Sequence, residues 1–450
     1  MDATTVKLAN FASRIDIASL PAVAVHETKR RIIDSIACAV GAYDAEFCGS
    51  IRAFAGRYSG RQTARIWGSG VRGSVEMAGF ANAAMVRYLD LSDTYLSKSA
   101  GHPSDMIPGL MALAEAEGAS GSALIAGIVA AYELYCGLCN STVLSASGLD
   151  QSNGAALGAA GGASRILGLS AEQTENAISL ALAGSVSLYN VRSGILSDWK
   201  ACAGPNAARN GIFAALLARD GVTGPTAIFE GKGGLFELTS PFEFQLNPGE
   251  LPLIARTHLK FHPVCYHGQS AIDAAVSLSA RVEIGQIAEI EVETYDASVK
   301  VMGSDPSRWA PTTRETADHS LPFTIAVALS TGKLTSADYL PARLKDAGLK
   351  EIMAKVQVAS NDAYTSAYPQ QAAAKVTIRT RDGREVCAEQ VEPKGHVMNP
   401  LSDSELDAKL LNLLPPSLSA QQAQRVLDLA WALDGAESVV PLIDALVFAA

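Results

Sequence analysis

One short stretch of this chain holds the residues best suited to acid–base chemistry, and it reads Y-L-D-L-S-D-T-Y-L-S-K-S-A-G-H-P-S from Tyr88 to Ser104. Asp90, Asp93, Thr94 and His102 fall within 13 residues of one another. A carboxylate and an imidazole at this separation could converge on one substrate, as proton transfer requires. Because a glycine and a proline flank the histidine, we expect it on a loop after an apolar helix, where catalytic groups often lie. The alternative is a helix cap at Asp93 or Ser92 and an ordinary surface turn at His102.

Two other segments place a lysine beside aromatic residues at a break in apolar chain. Lys200 follows Trp199 shortly before a Gly-Pro pair, and Lys260 lies in L-K-F-H-P-V-C-Y-H-G-Q-S (259–270). Either lysine could be a plain surface residue. Lysines in such positions are nevertheless candidates for binding carboxylates, because the ammonium group is a compact point charge. The polar residues that accompany the second lysine are Tyr266, His267 and Gln269.

A third segment, 309–323, contains an Asp-His-Ser string formed by Asp318, His319 and Ser320. Such a string suggests a serine hydrolase. Catalytic triads, however, are built from residues that are neighbours in space, and adjacent residues point to different sides of an element. The chain also lacks the G-x-S-x-G turn that presents the nucleophile of many hydrolases. We therefore do not predict a hydrolase.

Two further motifs have the right letters without the right context. G-S-G-V-R-G at 68–73 has the spacing of a dinucleotide-binding loop, but the preceding stretch is mostly polar and no βαβ alternation follows. C-G-L-C at 136–139 has redox spacing but lies in an apolar helical segment, which favours buried structural cysteines. No cluster of His, Cys and Asp has convincing metal-ligand spacing. We predict neither a cofactor nor a bound metal, and an NAD-dependent oxidoreductase is the alternative from a different class.

The composition indicates a large core and an acidic surface. The chain has 450 residues, of which 48% are hydrophobic and 18% charged, with a formal net charge of −10. Two domains are the usual expectation for this length, and the acidic balance argues against nucleic-acid binding. The apolar runs are broken by polar residues, the N-terminus lacks a secretory pattern, and the seven cysteines are scattered. We expect a cytoplasmic protein without a membrane span.

The elements that must position these residues can be read from the hydrophobic pattern. Helical periodicity dominates up to about residue 265, and small residues on the helix faces favour a closely packed bundle. Alternation with a period of two predicts strands at 287–296, 354–360 and 374–391, and R-D-G in the last supplies a hairpin turn. The tail from Ser402 returns to a helical pattern. The predicted fold is mainly α, with a large all-helical domain and a smaller α+β domain.

Five strings, in their order and spacing, resemble the MmgE/PrpD family, which includes 2-methylcitrate dehydratase and cis-aconitate decarboxylase. They are L-D-x-x-D-T…H-P-S (89–104), W-K…N-A-A-R-N (199–210), T-G-P…F-E-G-K-G-G (223–234), L-K-F-H-P (259–263) and P-K-G-H…N-P-L-S (393–402). Within the family, R-E-T-A-D-H-S-L-P (314–322) and Y-H-G-Q-S-A (266–271) are most similar to the 2-methylcitrate dehydratase branch. The resemblance covers nearly the whole chain.

The resemblance implies a homodimeric, metal-independent lyase that acts on a small tricarboxylate, first of all by dehydrating 2-methylcitrate. It also implies an all-helical domain formed by 1–270 with 393–450, and an α+β lid domain formed by 271–392. Within the same family, a cis-aconitate decarboxylase or a polycarboxylate epimerase is the alternative. A catalytically silent binding protein of the same fold is a third class of function.

The positions that match the family's active-site motifs are Asp90, Thr94, His102, Lys200 and Lys260. We expect His102 to be the acid/base group, with Asp90 and Thr94 orienting it or the substrate. Lys200 and Lys260 would neutralise the substrate carboxylates and the charge that develops as the proton leaves. His267 and His319 are further candidates for the group that protonates the leaving hydroxyl. The predicted substrate-binding residues are Tyr266, His267, Gln269, His319 and Ser320.

The chain departs from the family's pattern at four places. Leu91 and Ser92 replace an aromatic residue and an acid, and the loop that follows them is longer than usual. A histidine common in the family is missing near 149–151. Cys265 and Phe323 stand where the dehydratase branch more often has Glu and Tyr. These departures bear on the exact activity more than on the fold.

Overall fold

Helices greatly outnumber strands in the computed structural model, which describes residues 1–246 and 251–448, and this confirms the predicted mainly α fold. The first part of the chain contributes most of one large hydrophobic cluster. Its helices are α1 (Ala3–Arg14), α2 (Ala22–Gly41), α3 (Glu46–Ala55), α4 (Val75–Tyr88), α5 (Ile107–Ala116), α6 (Gly121–Ser141), α7 (Asn153–Ile166), α8 (Ala171–Gly184), α9 (Trp199–Arg219) and α10 (Leu235–Thr239). Its strands are β1 (Thr63–Arg65) and β2 (Arg72–Ser74).

A second hydrophobic cluster forms between a four-stranded sheet and the helices that pack on it, and it spans Val264 to Val386. The sheet order is β4-β3-β5-β6, in which only the β3–β4 pair is parallel. Its strands are β3 (Ile287–Thr294), β4 (Val356–Ser360), β5 (Ala374–Thr380) and β6 (Glu385–Gln390). Its helices are α11 (Gln269–Ser279), α12 (Asp296–Met302), α13 (Pro306–Trp309), α14 (Arg314–Ala317), α15 (Leu321–Thr331), α16 (Pro341–Leu344), α17 (Ala347–Met353) and α18 (Asp362–Ala367).

The predicted strands are confirmed, because alternating burial puts one face of the sheet on this second cluster. In β3 the residues Ile290, Val292 and Thr294 are buried and their neighbours are more exposed. The predicted R-D-G turn joins β5 to β6, with Gly383 at a φ of 86° that favours glycine. The pattern was readable from the sequence because each strand has one polar face.

The first part of the chain is predominantly helical, as its periodicity predicted, but it also contains a short hairpin that was not predicted. Strands β1 and β2 pair antiparallel, so G-S-G-V-R-G at 68–73 lies across the turn and second strand of a hairpin. Gly68 and Gly70 adopt φ values of 84° and 68° in that turn. A dinucleotide loop requires a strand-to-helix turn between parallel strands, and this hairpin does not provide one.

The tail packs back on the first cluster through α19 (Asp403–Asn412), α20 (Ala420–Trp431) and α21 (Val440–Ala445). Contacts between α19 and α2 are extensive, and residues from Leu401 to Phe448 belong to the same cluster as those from Leu8 to Leu259. The division into domains at 270 and 393 stays a prediction.

Helix α6 is long and apolar enough to cross a membrane by length and composition alone. In the fold, 89% of its most apolar window is buried against other parts of the protein. A buried core helix passes the same test as a membrane span, so this helix is weak evidence for a span. Cys136 and Cys139 of the C-G-L-C motif are both buried in it, as a structural role requires.

Small residues let α6 and α7 approach closely. A Cβ atom added at Gly162 would lie 2.6 Å from the backbone oxygen of Gly127, and one at Gly158 would lie 2.6 Å from that of Ala131. Real Cβ atoms do not approach backbone oxygen so closely, so the two helices would have to separate.

We expect the substitution Gly162→Ala to lower the free energy of unfolding by roughly 1–3 kcal/mol, because overpacking a core displaces backbone. Urea denaturation followed by circular dichroism measures this change. Gly184→Ala is the control, since Gly184, the last residue of α8, is also a helical glycine but has nothing within 4 Å of an added Cβ. Equal losses in the two variants would show that packing between α6 and α7 is not the cause.

Candidate functional site

The stretch from Leu89 to Gly101 is the predicted loop after α4, and short backbone bridges hold it in place. Thr94 and His258 exchange backbone hydrogen bonds of 2.9 and 2.7 Å, and Tyr95 and Gly101 exchange bonds of 2.8 and 2.9 Å. At its start, Asp90 adopts a φ of 51°, a left-handed conformation that costs roughly 1 kcal/mol or more in a non-glycine residue. The fold therefore fixes the direction of the Asp90 side chain.

The Asp90 carboxylate is buried and surrounded by cations. Lys260 Nζ donates to Asp90 Oδ1 at 2.7 Å and to the Asp90 backbone oxygen at 2.9 Å. Lys200 Nζ lies 3.3 Å from Asp90 Oδ2, and the guanidinium of Arg87 donates to Asp90 Oδ1. Burial raises the pKa of the Asp90 carboxyl, but Arg87, Lys200 and Lys260 outweigh burial and hold it well below the ordinary value. Asp90 is therefore an anion that keeps two lysines in position.

A second buried carboxylate shares Lys200 with Asp90. Lys200 Nζ donates to the two carboxylate oxygens of Asp318 at 2.7 and 2.8 Å. His319 Nδ1 lies 2.5 Å from Asp318 Oδ1 and 3.7 Å from Asp90 Oδ2. Arg314 Nη1 lies 3.6 Å from Asp318 Oδ2. Lys200 is the second residue of α9. Its bonds to Asp318 therefore connect the helical part of the chain to the 309–323 segment.

His102 is held by the loop through one ring nitrogen. Its Nδ1 lies 2.8 Å from the backbone oxygen of Asp93 and 3.3 Å from Thr94 Oγ1. Its backbone N–H donates to the hydroxyl of Tyr135 at 2.9 Å. Burial, with smaller effects from Arg87 and Lys260, lowers the pKa of His102 well below the ordinary value. His102 is therefore a neutral imidazole near neutral pH, with Nε2 directed away from the loop contacts.

Among the other predicted residues, His319 contacts the Asp318 carboxylate and His267 contacts a tyrosine hydroxyl. His267 Nδ1 lies 2.8 Å from the hydroxyl of Tyr295, and burial, with the charges of His319 and Lys260, lowers the pKa of His267 to about 4. The ring of Tyr266 packs 4.9 Å from that of His258, and the Tyr266 hydroxyl is buried with no partner in the described part of the chain.

Gln269 and Ser320 hold backbone in place. The Gln269 amide donates to the backbone oxygens of His262 and Val264, and its Oε1 accepts from the N–H of His262 at 3.0 Å. Ser320 accepts from the N–H of Phe323 at 3.1 Å as the N-cap of α15, and its hydroxyl donates to a backbone oxygen. Their contact with substrate stays a prediction, and in the free protein they shape the two segments that carry Lys260 and His319.

The structure adds residues that sequence reasoning missed. Arg87 is fully buried in α4 and completes the charge cluster, and its signal was an arginine in an apolar helix three residues before Asp90. Arg192 forms a two-bond ion pair with Asp150 at 2.9 and 3.1 Å and donates to the backbone oxygen of Lys200. No local pattern in the sequence predicts that pair, because its two residues are far apart along the chain.

Gln151 belongs to the stretch 149–151, near which the family resemblance leads us to expect a histidine. Its Oε1 accepts from the Tyr135 hydroxyl and lies 3.4 Å from the backbone nitrogen of His102. Its Nε2 is buried and makes no hydrogen bond within residues 1–246 and 251–448. Gln151 therefore presents a free amide donor next to the candidate base.

Asp90, Asp318 and His319 offer three ligand atoms within 4.8 Å of one another, a spacing that a metal ion could use. The ammonium of Lys200 already bridges the two carboxylates, so a metal would have to displace a buried cation. These donors therefore suit a lysine better than a divalent ion. Metal independence stays a prediction.

Comparison with known proteins gives matches over most of the chain. The MmgE/PrpD N-terminal domain model matches residues 6–246, and the MmgE/PrpD C-terminal domain model matches residues 262–434. A 2-methylcitrate dehydratase of Salmonella typhi is 26% identical over 397 residues, which cover 82% of this chain and 81% of that protein. One from Cupriavidus necator is 26% identical over 88% of this chain and 86% of its own length. A cis-aconitate decarboxylase-like protein, oryM, of Aspergillus oryzae is 23% identical over 98% of this chain and 96% of its own length.

Proposed function

Because the chain belongs to the MmgE/PrpD family, we propose that it is a metal-independent lyase that dehydrates a small tricarboxylate, with 2-methylcitrate as the first candidate. Relatives named 2-methylcitrate dehydratase support an enzyme of this kind. The observation that carries the proposal is the pair of buried ammonium groups of Lys200 and Lys260, which both bond to Asp90, with the neutral imidazole of His102 near Lys260.

Lys260 can take a substrate carboxylate without losing its present partners, whereas Lys200 Nζ already donates to three carboxylate oxygens. An ammonium group has three N–H donors. Lys260 uses two of them on the side chain and backbone of Asp90, which leaves one donor for a ligand. Arg87 and Arg192 add buried positive charge nearby. A polycarboxylate is the kind of small ligand whose charge this arrangement complements.

In the proposed reaction, His102 removes the proton next to a substrate carboxylate. Its Nδ1 is engaged with the backbone oxygen of Asp93, which leaves Nε2 as the proton acceptor. Thr94 contacts the same ring and helps to orient it. Negative charge then grows on the substrate carboxylate, and Lys260 and Lys200 stabilise that charge in a site from which water is largely excluded.

Asp90 acts through the lysines in this proposal, as a positioning residue. Its carboxylate bonds to Lys200, Lys260 and Arg87, and its effect on His102 is that of a nearby charge. The hydroxyl that leaves the substrate must be protonated by a second group. His267, which faces Lys260, and His319, which faces Lys200, are the predicted donors.

A cis-aconitate decarboxylase is the second candidate, because the oryM protein matches almost the whole chain. Decarboxylation would use the same cations to stabilise the carbanion left after carbon dioxide departs. An epimerase would use one group to remove the proton and another to return it on the opposite face. The three reactions therefore differ in what leaves the substrate, and an assay can separate them.

The test is to incubate the protein with citrate, 2-methylcitrate and cis-aconitate while recording unsaturated-acid absorbance and carbon dioxide release. We expect absorbance to rise with 2-methylcitrate and no carbon dioxide to form. Carbon dioxide release from cis-aconitate would favour the decarboxylase, and no reaction with any of the three acids would contradict the proposal. Lys200→Met should abolish the signal, whereas Lys350→Met, an exposed lysine of α17, should leave it unchanged.

We also propose that the protein is a cytoplasmic homodimer whose 271–392 region serves as a lid. The family resemblance supports the dimer and the lid, and the scattered cysteines support a reducing compartment. Light scattering coupled to gel filtration measures the mass, for which a 46.9 kDa species would contradict the dimer.

A further inference from the structure

A thiol, an imidazole and a carboxylate are linked in series beside the lysines. The backbone N–H of Cys265 donates to the backbone oxygen of Asp318 at 3.0 Å, which brings the 259–270 segment against the 309–323 segment. The Cys265 thiol lies in the same buried cluster as the imidazole of His319 and interacts with it electrostatically. That imidazole in turn contacts Asp318 Oδ1 through Nδ1 at 2.5 Å. The order of thiol, base and orienting carboxylate is one that enzymes use to activate a sulfur atom.

Both members of the thiol–imidazole contact are shielded from solvent, with 8% of each residue exposed. Because solvent is largely excluded, few water molecules can compete for a proton that the two side chains share. The charged and titratable groups that face the contact come from several elements. They are Lys200, Lys260, Asp90, Asp318, Arg308, His267, Tyr295 and Tyr368.

The charges favour a proton on the imidazole side. Burial raises the pKa of the Cys265 thiol, but its interactions with His319 outweigh burial and lower it. Burial and Lys200 lower the pKa of His319, but Cys265 and Asp318 outweigh them and raise it. Burial raises the thiol pKa at the other buried cysteines, which are Cys38, Cys48, Cys136, Cys139 and Cys202.

We propose that Cys265 and His319 share one proton as a thiolate–imidazolium couple, and that this couple protonates the hydroxyl group leaving the substrate. The inference rests on the proposed dehydration and assigns its second proton-transfer group. His102 takes the proton from carbon, the carbon–oxygen bond breaks with its electron pair on oxygen, and the couple's proton completes the water molecule. His102 then loses its proton to solvent, and the couple regains one, so no other reactant is needed.

The first experiment measures the reactivity of the Cys265 thiol in the absence of substrate. The intact protein is alkylated with iodoacetamide between pH 6 and 8.5, and the rate at Cys265 is followed by mass spectrometry of its peptide. An ordinary thiol loses reactivity roughly a hundredfold over this range, because only the thiolate reacts. We expect Cys265 to lose less than tenfold, and the His319→Gln variant to restore the hundredfold loss. A hundredfold loss at Cys265 in the unaltered protein would overturn the couple.

The exposed Cys387 is alkylated in the same samples and provides the internal standard for the reagent. Comparing each cysteine with its own rate at pH 8.5 removes the effect of limited access to a buried site. Cys265→Ser identifies the labelled peptide and preserves the shape of the side chain.

The second experiment measures the reaction. Cys265→Ser should lower kcat on 2-methylcitrate at least tenfold with little change in KM, because a serine hydroxyl cannot hold the shared proton at neutral pH. Full kcat in this variant would overturn the assigned role. If the unaltered protein dehydrates none of the acids while Cys265 stays reactive at pH 6, the proposed function fails and the couple stands.

Discussion

Replacing Asp90 with Asn is expected to lower the free energy of unfolding by roughly 3–5 kcal/mol, because it removes the charge that pairs with three buried cations. Arg87, Lys200 and Lys260 all contact this carboxylate, and all are almost fully buried. An amide of similar size keeps the shape but leaves the cations without a compensating anion. Urea denaturation at pH 7 measures the change.

The pH dependence follows from the lowered pKa of Asp90. A carboxyl whose pKa falls on folding contributes stability that is fully present above the unfolded value of about 4. That stability is lost as the pH falls through the folded value, which lies lower still. Mild acid should therefore leave the Asp90 contribution intact in the unaltered protein.

Asp434→Asn is the matched control. Asp434 pairs with Lys29 at 2.9 Å, but its side chain is 44% exposed. Exposed pairs contribute about 0–1 kcal/mol, so this variant should lose far less stability than Asp90→Asn. Similar losses in the two variants would mean that the buried cluster has no special weight in the fold.

Replacing His102 with Gln is expected to reduce kcat by roughly a hundredfold or more while the protein stays folded, because a general base contributes about that factor. Glutamine retains a hydrogen-bonding group for the loop but cannot accept a proton. Steady-state rates on 2-methylcitrate, with circular dichroism to verify folding, measure the effect. His26→Gln, at a solvent-exposed histidine stacked on Trp431, should retain full activity.

The role of His102 as base also predicts how kcat/KM depends on pH. Because burial lowers the pKa of His102 well below the ordinary value of 6.5, the base stays neutral well into mild acid. The rate constant kcat/KM should therefore hold steady as the pH falls from 7 through 6.5 and decline only below that value. A decline centred on the ordinary histidine pKa, or near-normal activity in His102→Gln, would remove His102 from the role of base.

The parts of the fold that the sequence predicted correctly depend on local patterns. Strands β3, β5 and β6 alternate because one face of the sheet is buried, and the turn before β6 needs a glycine at positive φ. The loop that carries His102 was predictable because Gly101 and Pro103 end a helix pattern. The hairpin of β1 and β2 was missed because its strands have three residues each, too few to display a period.

The parts of the site that the sequence did not reveal depend on contacts between distant residues. Lys200 and Asp318 are 118 positions apart, and Lys260 and Asp90 are 170 positions apart. The residue types suggested carboxylate binding, but nothing local indicated that each lysine would hold an aspartate. The role of Cys265 was equally hidden, because its thiol meets His319 only when two segments pack together.

Lys409 makes the site depend on α19, a helix that follows every candidate catalytic residue in the sequence. Its buried ammonium donates to the backbone oxygens of Leu91 and Lys260, both at 2.9 Å, and to the carboxylate of Asp34. It thus ties the loop of the candidate base to the segment of the candidate substrate lysine. A growing polypeptide would hold every candidate catalytic residue well before Lys409 is synthesised, yet would lack this tie. Complete assembly of the site during translation therefore requires α19.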